Sequence, residues 1–257
     1  MTRFFVKPEQ ISDTSITFGA EDAHHMFIVT KMRVGSLCTA LDNTGHTYEV
    51  EIEELGRSHA VGRITKVDLA RTEPHVKVTV AQALPRTLEK LEWVLEHGTE
   101  IGVSEFIIFS SERARENAER FKRKLDRWNE IVKTASEQSG RAILPTVTGI
   151  VNFQHVVETA SSHDLCLMAY ERETRMSLRQ ALCPGARSVL SIIGPEGGFT
   201  DAEVELARGA HIATITLGPR ILRTETAGLS MVSQILFALD ADGAEPASAR
   251  ATSVRAA

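Results

Sequence analysis

Two glycine-rich loops near the C-terminus carry the residues best suited to hold a ligand. Ile192-Ile193-Gly194-Pro195-Glu196-Gly197-Gly198-Phe199 and Leu217-Gly218-Pro219-Arg220-Ile221-Leu222-Arg223-Thr224-Glu225-Thr226-Ala227 each join an apolar, strand-like run to a helix-like run. Ser188 to Ile193 is short and β-branched, and Thr200-Asp201-Ala202-Glu203 reads as a capping box that opens a helix. The same plan recurs one unit later. Ile212 to Leu217 reads as a strand, Gly218 to Arg223 as its loop, and Thr224 as the cap of a helix with apolar Leu229, Val232, Leu236 and Leu239. Glycines at such turns let a ligand lie against bare backbone, while the helix N-terminus offers unpaired N–H donors. Each glycine also has a purely structural reading, because strand-to-helix turns in α/β proteins use glycine for geometry alone.

Neither loop follows G-x-x-x-x-G-K-[ST] or G-x-G-x-x-G, so a phosphate-anchored nucleotide is poorly supported. Five strand-like runs (Val76 to Val80, Phe106 to Phe109, Leu165 to Ala169, Ser188 to Ile193, Ile212 to Leu217) alternate with helical ones from His75 onward. That alternation predicts a largely parallel α/β sheet with its ligand at the strands' C-terminal ends. Residues 3 to about 70 differ. Alternating runs such as His46 to Ile52, preceded by the turn Asp42-Asn43-Thr44-Gly45, predict a small β-rich domain. A helix is expected from about Asn117 to Gln138, with Phe121, Leu125, Trp128, Val132 and Ala135 inward and Arg120, Lys122, Arg123, Lys124 and Arg127 as a basic cluster.

The two loops in this order resemble those of the RsmE family, SPOUT-class enzymes that methylate N3 of a uridine in small-subunit ribosomal RNA. Thr99-Glu100-Ile101-Gly102-Val103 within Trp93 to Val103, Ser111-Glu112-Arg113, Arg127-Trp128 and Glu137-Gln138-Ser139-Gly140-Arg141 resemble further segments of that family. His24-His25 and Arg33-Val34-Gly35 resemble its N-terminal domain, so the likeness covers roughly residues 3 to 240. The chain departs from it at His97, where the family has a basic residue, and at Lys31, where it has Arg.

The resemblance implies a PUA-like β-barrel RNA-binding domain over residues 1–72. A SPOUT-type α/β methyltransferase domain with a C-terminal trefoil knot follows over 73–240. It implies S-adenosylmethionine as cofactor, held by Met168, Tyr170, Gly194, Pro195, Glu196, Gly197, Gly198, Leu217, Gly218, Ile221, Leu222, Arg223 and Thr224. The implied partners are 16S ribosomal RNA or the small ribosomal subunit, and a second copy of the chain in a homodimer. Arg3, Lys31, Arg33, Arg113, Arg141 and Arg220 are the candidate RNA contacts, against an overall charge of −5 that only local basic patches can override.

Methyl transfer to uracil N3 needs the N3 proton removed and negative charge on O2 and O4 stabilised. Arg223 is assigned the charge and Glu225, or water, the proton. Glu225 also reads as a first-turn acid favoured by its helix dipole. Glu196 either bonds the cofactor or fixes the glycine turn. Two other functions stay open: a SPOUT enzyme for another RNA or a ribose oxygen, and a non-catalytic RNA-binding assembly protein.

Composition agrees with an ordinary intracellular enzyme, with 42% hydrophobic and 25% charged residues over 257 positions. Cys38, Cys166 and Cys183 are odd in number and widely spaced, which argues against a disulfide framework or a zinc site. No metal is expected. The sequence shows no run of about 18 apolar residues, so no membrane span is expected and the cytoplasm is the default compartment. Ala241 to Ala257, rich in Ala, Ser, Gly and Pro, is read as a disordered tail.

Overall fold

A computed structural model describes residues 1–117, 121 and 123–240. Arg120 and Lys122 of the basic cluster, and the tail 241–257, lie outside the described residues. The chain forms two compact units, Met1–Glu73 with Glu130–Leu144, and Pro74–Asn129 with Pro145 onward.

The first unit is built on strands β1 (Thr2–Phe5), β2 (Ser15–Phe18), β3 (Leu37–Leu41), β4 (His46–Leu55) and β5 (Ala60–Leu69), in the order β1-β3-β4-β5-β2. Only β1 and β3 pair in parallel. Alternation along these strands sends Phe4, Ile16, Phe18, Cys38, Val50 and Ile52 into one core, which the short helix α1 (Ala20–His24) joins through Ala23. The expected hairpin turn is present, with Asn43 at φ 61° and Gly45 at φ 104°. Asp42 holds it. Its carboxylate accepts the Thr44 N–H at 2.8 Å, the Thr44 hydroxyl at 2.8 Å and the His46 N–H at 3.1 Å. The turn therefore keeps its shape through one acid rather than through glycine alone.

The second unit carries a six-stranded sheet whose pairings are all parallel. Its strands are β6 (Lys77–Ala83), β7 (Glu105–Ser110), β8 (Thr146–Asn152), β9 (Leu165–Ala169), β10 (Ser188–Ile193) and β11 (Ala213–Ile215), in the order β11-β9-β10-β6-β7-β8. The five expected strands are all there, and β8 is an addition. β8 lies at the sheet's edge, stays partly exposed and is interrupted by Gly149, which hides it from a reading based on apolar runs. Helices α2 (Leu88–Ile101), α3 (Leu125–Ser139), α4 (Phe153–Glu158), α5 (Leu178–Ala181), α6 (Asp201–Gly209) and α7 (Thr224–Leu239) complete the chain. Parallel pairing requires each strand to start at the same edge, so all the C-terminal ends share the other edge.

Helix α3 runs from Leu125 to Ser139, and residues 118–120 and 122 of the expected span before it lie outside the described residues. Lys124 N–H closes a turn on the carbonyl of buried Phe121 at 3.0 Å. Trp128, Val132 and Ala135 are buried as expected, while Leu125 remains exposed. All three cysteines are free. Burial pushes the Cys38 thiol up to about 12 and the Cys166 thiol up to about 11.

Burial pushes the Asp42 carboxyl up, but its bonds from Thr44 and His46 outweigh burial and hold it below the ordinary range. A lowered folded value means that its stabilisation is present above the ordinary aspartate range and is lost as pH falls through the folded value. Asp42→Asn is therefore expected to cost about 1.5–3 kcal/mol at neutral pH. In urea titrations the difference from wild type should shrink as pH drops below ~4.

Candidate active site

A cavity of about 590 Å³ opens at the C-terminal ends of β9, β10 and β11. Three neighbouring loops wall it, running from Tyr170, from Gly194 and from Thr216, and α2 adds Lys90. Its size falls in the range that encloses a small organic ligand, ~300–1,000 Å³.

The loop after β10 is shaped by close packing. A side-chain carbon on Gly194 would come within 2.8 Å of the Phe199 ring, so only glycine lets that ring close the cavity floor. Pro195 O accepts Gly198 N–H at 2.9 Å, and Gly198 leaves the turn at φ 68°, a backbone that side chains disfavour. The predicted capping box then starts α6, with Thr200 and Glu203 bonding each other's backbone. Thr224 departs from its predicted role. Arg223 is the cap position of α7, and the Thr224 hydroxyl instead donates to Gly194 O at 2.5 Å while accepting from Gln82 Nε2 at 2.9 Å. One buried hydroxyl thus joins the ends of β6 and β10 to the start of α7.

The charged groups form two sets. Glu196 accepts the Lys90 ammonium at 2.7 Å and the Arg86 N–H at 3.2 Å. Burial pushes the Glu196 carboxyl up, but these donors prevail and hold it below the usual carboxylate range. Lys90 Nζ also lies 3.7 Å from Glu225 Oε2, an inaccessible oxygen that accepts no hydrogen bond among the described residues. Arg220 and Arg223 line the cavity, are exposed and form no ion pair among the described residues. The second set is therefore available to an anion.

The cavity wall includes Tyr170, Gly194, Pro195, Glu196, Gly197 and Gly198 of the predicted cofactor set. It also includes Leu217, Gly218, Ile221, Leu222, Arg223 and Thr224 of the same set. Met168 is outside it. The side chain is wholly buried in the sheet's core, below the end of β9 from which Ala169 and Tyr170 reach the cavity. Glu225 is also absent from the wall and faces Lys90.

The basic residues separate by partner. Lys31 and Arg33 are exposed on the first unit. Arg3 donates to the carbonyls of Glu137 and Gln138, both at 3.1 Å, and so caps the C-terminus of α3. Arg141, 3% exposed, bonds the Glu73 carboxylate at 2.6 Å, which withdraws it from solvent. Arg113 donates to the Gly197 carbonyl.

Lys90, Glu171 and Thr216 line the cavity without having been singled out in the sequence. Lys90 sits in an ordinary amphipathic helix with no local pattern to mark it. Its only signal is that α2 leaves the C-terminal end of β6, the edge where parallel sheets bind ligands. Among the described residues no cluster of three His, Cys, Asp or Glu could hold a metal, and no helix is long and apolar enough to cross a membrane.

A parallel sheet with a ligand cavity at its C-terminal edge, joined to a β-rich unit, defines the class. Residues 72–236 match the RNA methyltransferase domain family and residues 18–65 the RNA methyltransferase PUA domain family. The chain is 32% identical over 248 residues to ribosomal RNA small subunit methyltransferase E of Bacillus subtilis (strain 168), covering 92% of this chain and 96% of that one. The corresponding protein of Synechocystis sp. is 32% identical over 238 residues, 91% of this chain and 76% of the other. A crystal structure of ribosomal RNA small subunit methyltransferase E from Neisseria gonorrhoeae, bound to S-adenosyl methionine, superimposes with a TM-score of 0.84 at 28% identity, over 93% of this chain and 98% of that one. The chain belongs to the ribosomal RNA small subunit methyltransferase E family.

Arg141 gives a direct check on the separation of basic residues. Removing one member of a buried pair leaves the other charge uncompensated, so Arg141→Ala is expected to cost about 3–5 kcal/mol of folding stability. Calorimetric unfolding should record that loss, and the variant that remains folded should bind RNA like wild type.

Proposed function

We propose that the protein transfers a methyl group from S-adenosylmethionine to N3 of one uridine in the 16S ribosomal RNA of the small subunit, acting in the cytoplasm. The observation that carries this reading is the cavity walled by three adjacent strand-end loops, lined by glycines and by two exposed arginines without an ion pair among the described residues. When bound, S-adenosylmethionine supplies a methyl group activated by its sulfonium charge.

The residues fit that cofactor. Gly194, Gly197, Gly198 and Gly218 leave room against backbone, while Tyr170, Leu217, Ile221 and Leu222 supply apolar surface. Glu196 is spoken for by Lys90 and Arg86, so its role is to fix the turn rather than to bond the cofactor. Arg223 stabilises negative charge on the uracil oxygens as the N3 proton leaves. Glu225 stands off the wall and beside Lys90, and we assign the proton to water. The N3–carbon bond forms as the sulfur–carbon bond breaks, and the proton passes to solvent. N3 lies on the Watson–Crick edge, so the uridine must be unpaired or flipped out.

The same reading assigns residues 1–72 to RNA binding through Lys31 and Arg33, with Arg220 meeting RNA at the cavity rim, and residues 73–240 to a knotted methyltransferase domain. The strand order, in which β9 lies between β10 and the later β11, supports a knot. The same reading includes a homodimer, in which a second copy would cover Phe237, 86% exposed on α7. Phe237→Asp is expected to shift the protein to monomer in light-scattering chromatography.

Labelled methyl transfer to small subunits lacking this modification, followed by mass mapping, should yield N3-methyluridine at one site. Another methylated nucleoside would reject the substrate assignment, and no transfer would favour a binding protein. Arg223→Ala is expected to lower kcat about 10²–10³-fold. Glu225→Gln should turn over near the wild-type rate, and a loss beyond ~10²-fold would instead make it the base.

A further inference from the structure

The segment after β7 is fastened to the loop after β10 at two points. Glu112 N–H donates to Glu203 Oε1 at 2.8 Å, and Glu203, 7% exposed, also accepts Thr200 N–H at 2.9 Å. Arg113 donates from Nη1 to the Gly197 carbonyl, and its Cδ and Cβ lie 3.4 and 3.5 Å from where a side-chain carbon on Gly197 would stand. The peptide that carries this carbonyl has its N–H on Gly198, which donates to Pro195 O at 2.9 Å. A peptide is planar, so gripping one end orients the other. Gly197 and Gly198 both line the cavity, and Arg113 thereby sets the orientation of its wall.

Arg113 is also exposed, and no carboxylate among the described residues pairs with it. A guanidinium offers five donors in a planar fork. One donor engages Gly197, and the exposed guanidinium has further donors to offer a phosphate. Lys90 bonds the same turn through Glu196, but it is half-buried beside two carboxylates and has no comparable freedom.

We infer that Arg113 is a positioning residue that couples RNA docking to cofactor binding, with one arm on Gly197 and the rest of its fork on an RNA phosphate. RNA bound to that fork stiffens the glycine turn, and the stiffened turn holds the cofactor more tightly. Coupling of this kind is reciprocal. The inference rests on the methyltransferase reading above.

Equilibrium dialysis of labelled S-adenosylhomocysteine, with and without small ribosomal subunits, tests it on the full-length protein. In the wild type the subunits should tighten binding by about fivefold or more. Arg113→Ala should weaken binding several-fold without subunits and abolish the tightening, with its unfolding temperature unchanged. Arg113→Lys keeps the charge but lacks the fork, so it should retain affinity for subunits and still lose the coupling. Tightening that persists in Arg113→Ala, or that Arg113→Lys restores in full, overturns the inference while leaving the methyltransferase reading intact. A wild-type protein that binds subunits and S-adenosylhomocysteine independently overturns it too. Wild type that binds neither overturns both.

Discussion

The Thr224 hydroxyl accepts a hydrogen bond from Gln82 on β6 and gives one to the Gly194 carbonyl at the end of β10. It is 7% exposed, and losing it would take one partner from the Gln82 amide and the side-chain donor from the Gly194 carbonyl. Through this one oxygen the start of α7 is fixed against two central strands. The loop from Thr216 to Arg223 ends at that point, so its path over the cavity depends on the same anchor.

Around this anchor the cavity wall is held in shape by packing and hydrogen bonds. Phe199 fills the space left by the missing side chain of Gly194, and the intervening turn is bonded by Lys90 at Glu196 and by Arg113 at Gly197. Rigid backbone is what a site needs when its ligand is recognised by shape and by N–H and carbonyl groups rather than by a phosphate. The charged side chains divide accordingly. Lys90 of the wall pairs with Glu196 and stands near Glu225, while Arg220 and Arg223 form no ion pair among the described residues. That asymmetry favours negative charge on one side of the cavity.

The basic residues illustrate how one residue type serves unrelated ends. Arg3 satisfies the carbonyls that end α3, and Arg141 is locked to Glu73, so both stabilise the first unit. Lys31 and Arg33 are exposed on that unit, and Lys31 takes the rare left-handed backbone at φ 52°. Net charge alone could not make this distinction, because it counts every guanidinium equally whether it is buried or solvated.

Local sequence determined the hairpin at Asp42 to Gly45, the capping box at Thr200 and Glu203, and the alternation that yields a parallel sheet. These follow from short-range sterics and hydrogen bonding, which neighbouring residues settle among themselves. The two glycine loops and most of the cavity lining were legible for the same reason. Tertiary structure alone decided that Met168 is core, that Thr224 bridges rather than caps, and that Lys90 stands between Glu196 and Glu225. It also decided which arginines are free. Each of these depends on groups brought together across scores of residues, and a side chain's partner is fixed by how strands and helices pack, which no local spacing encodes.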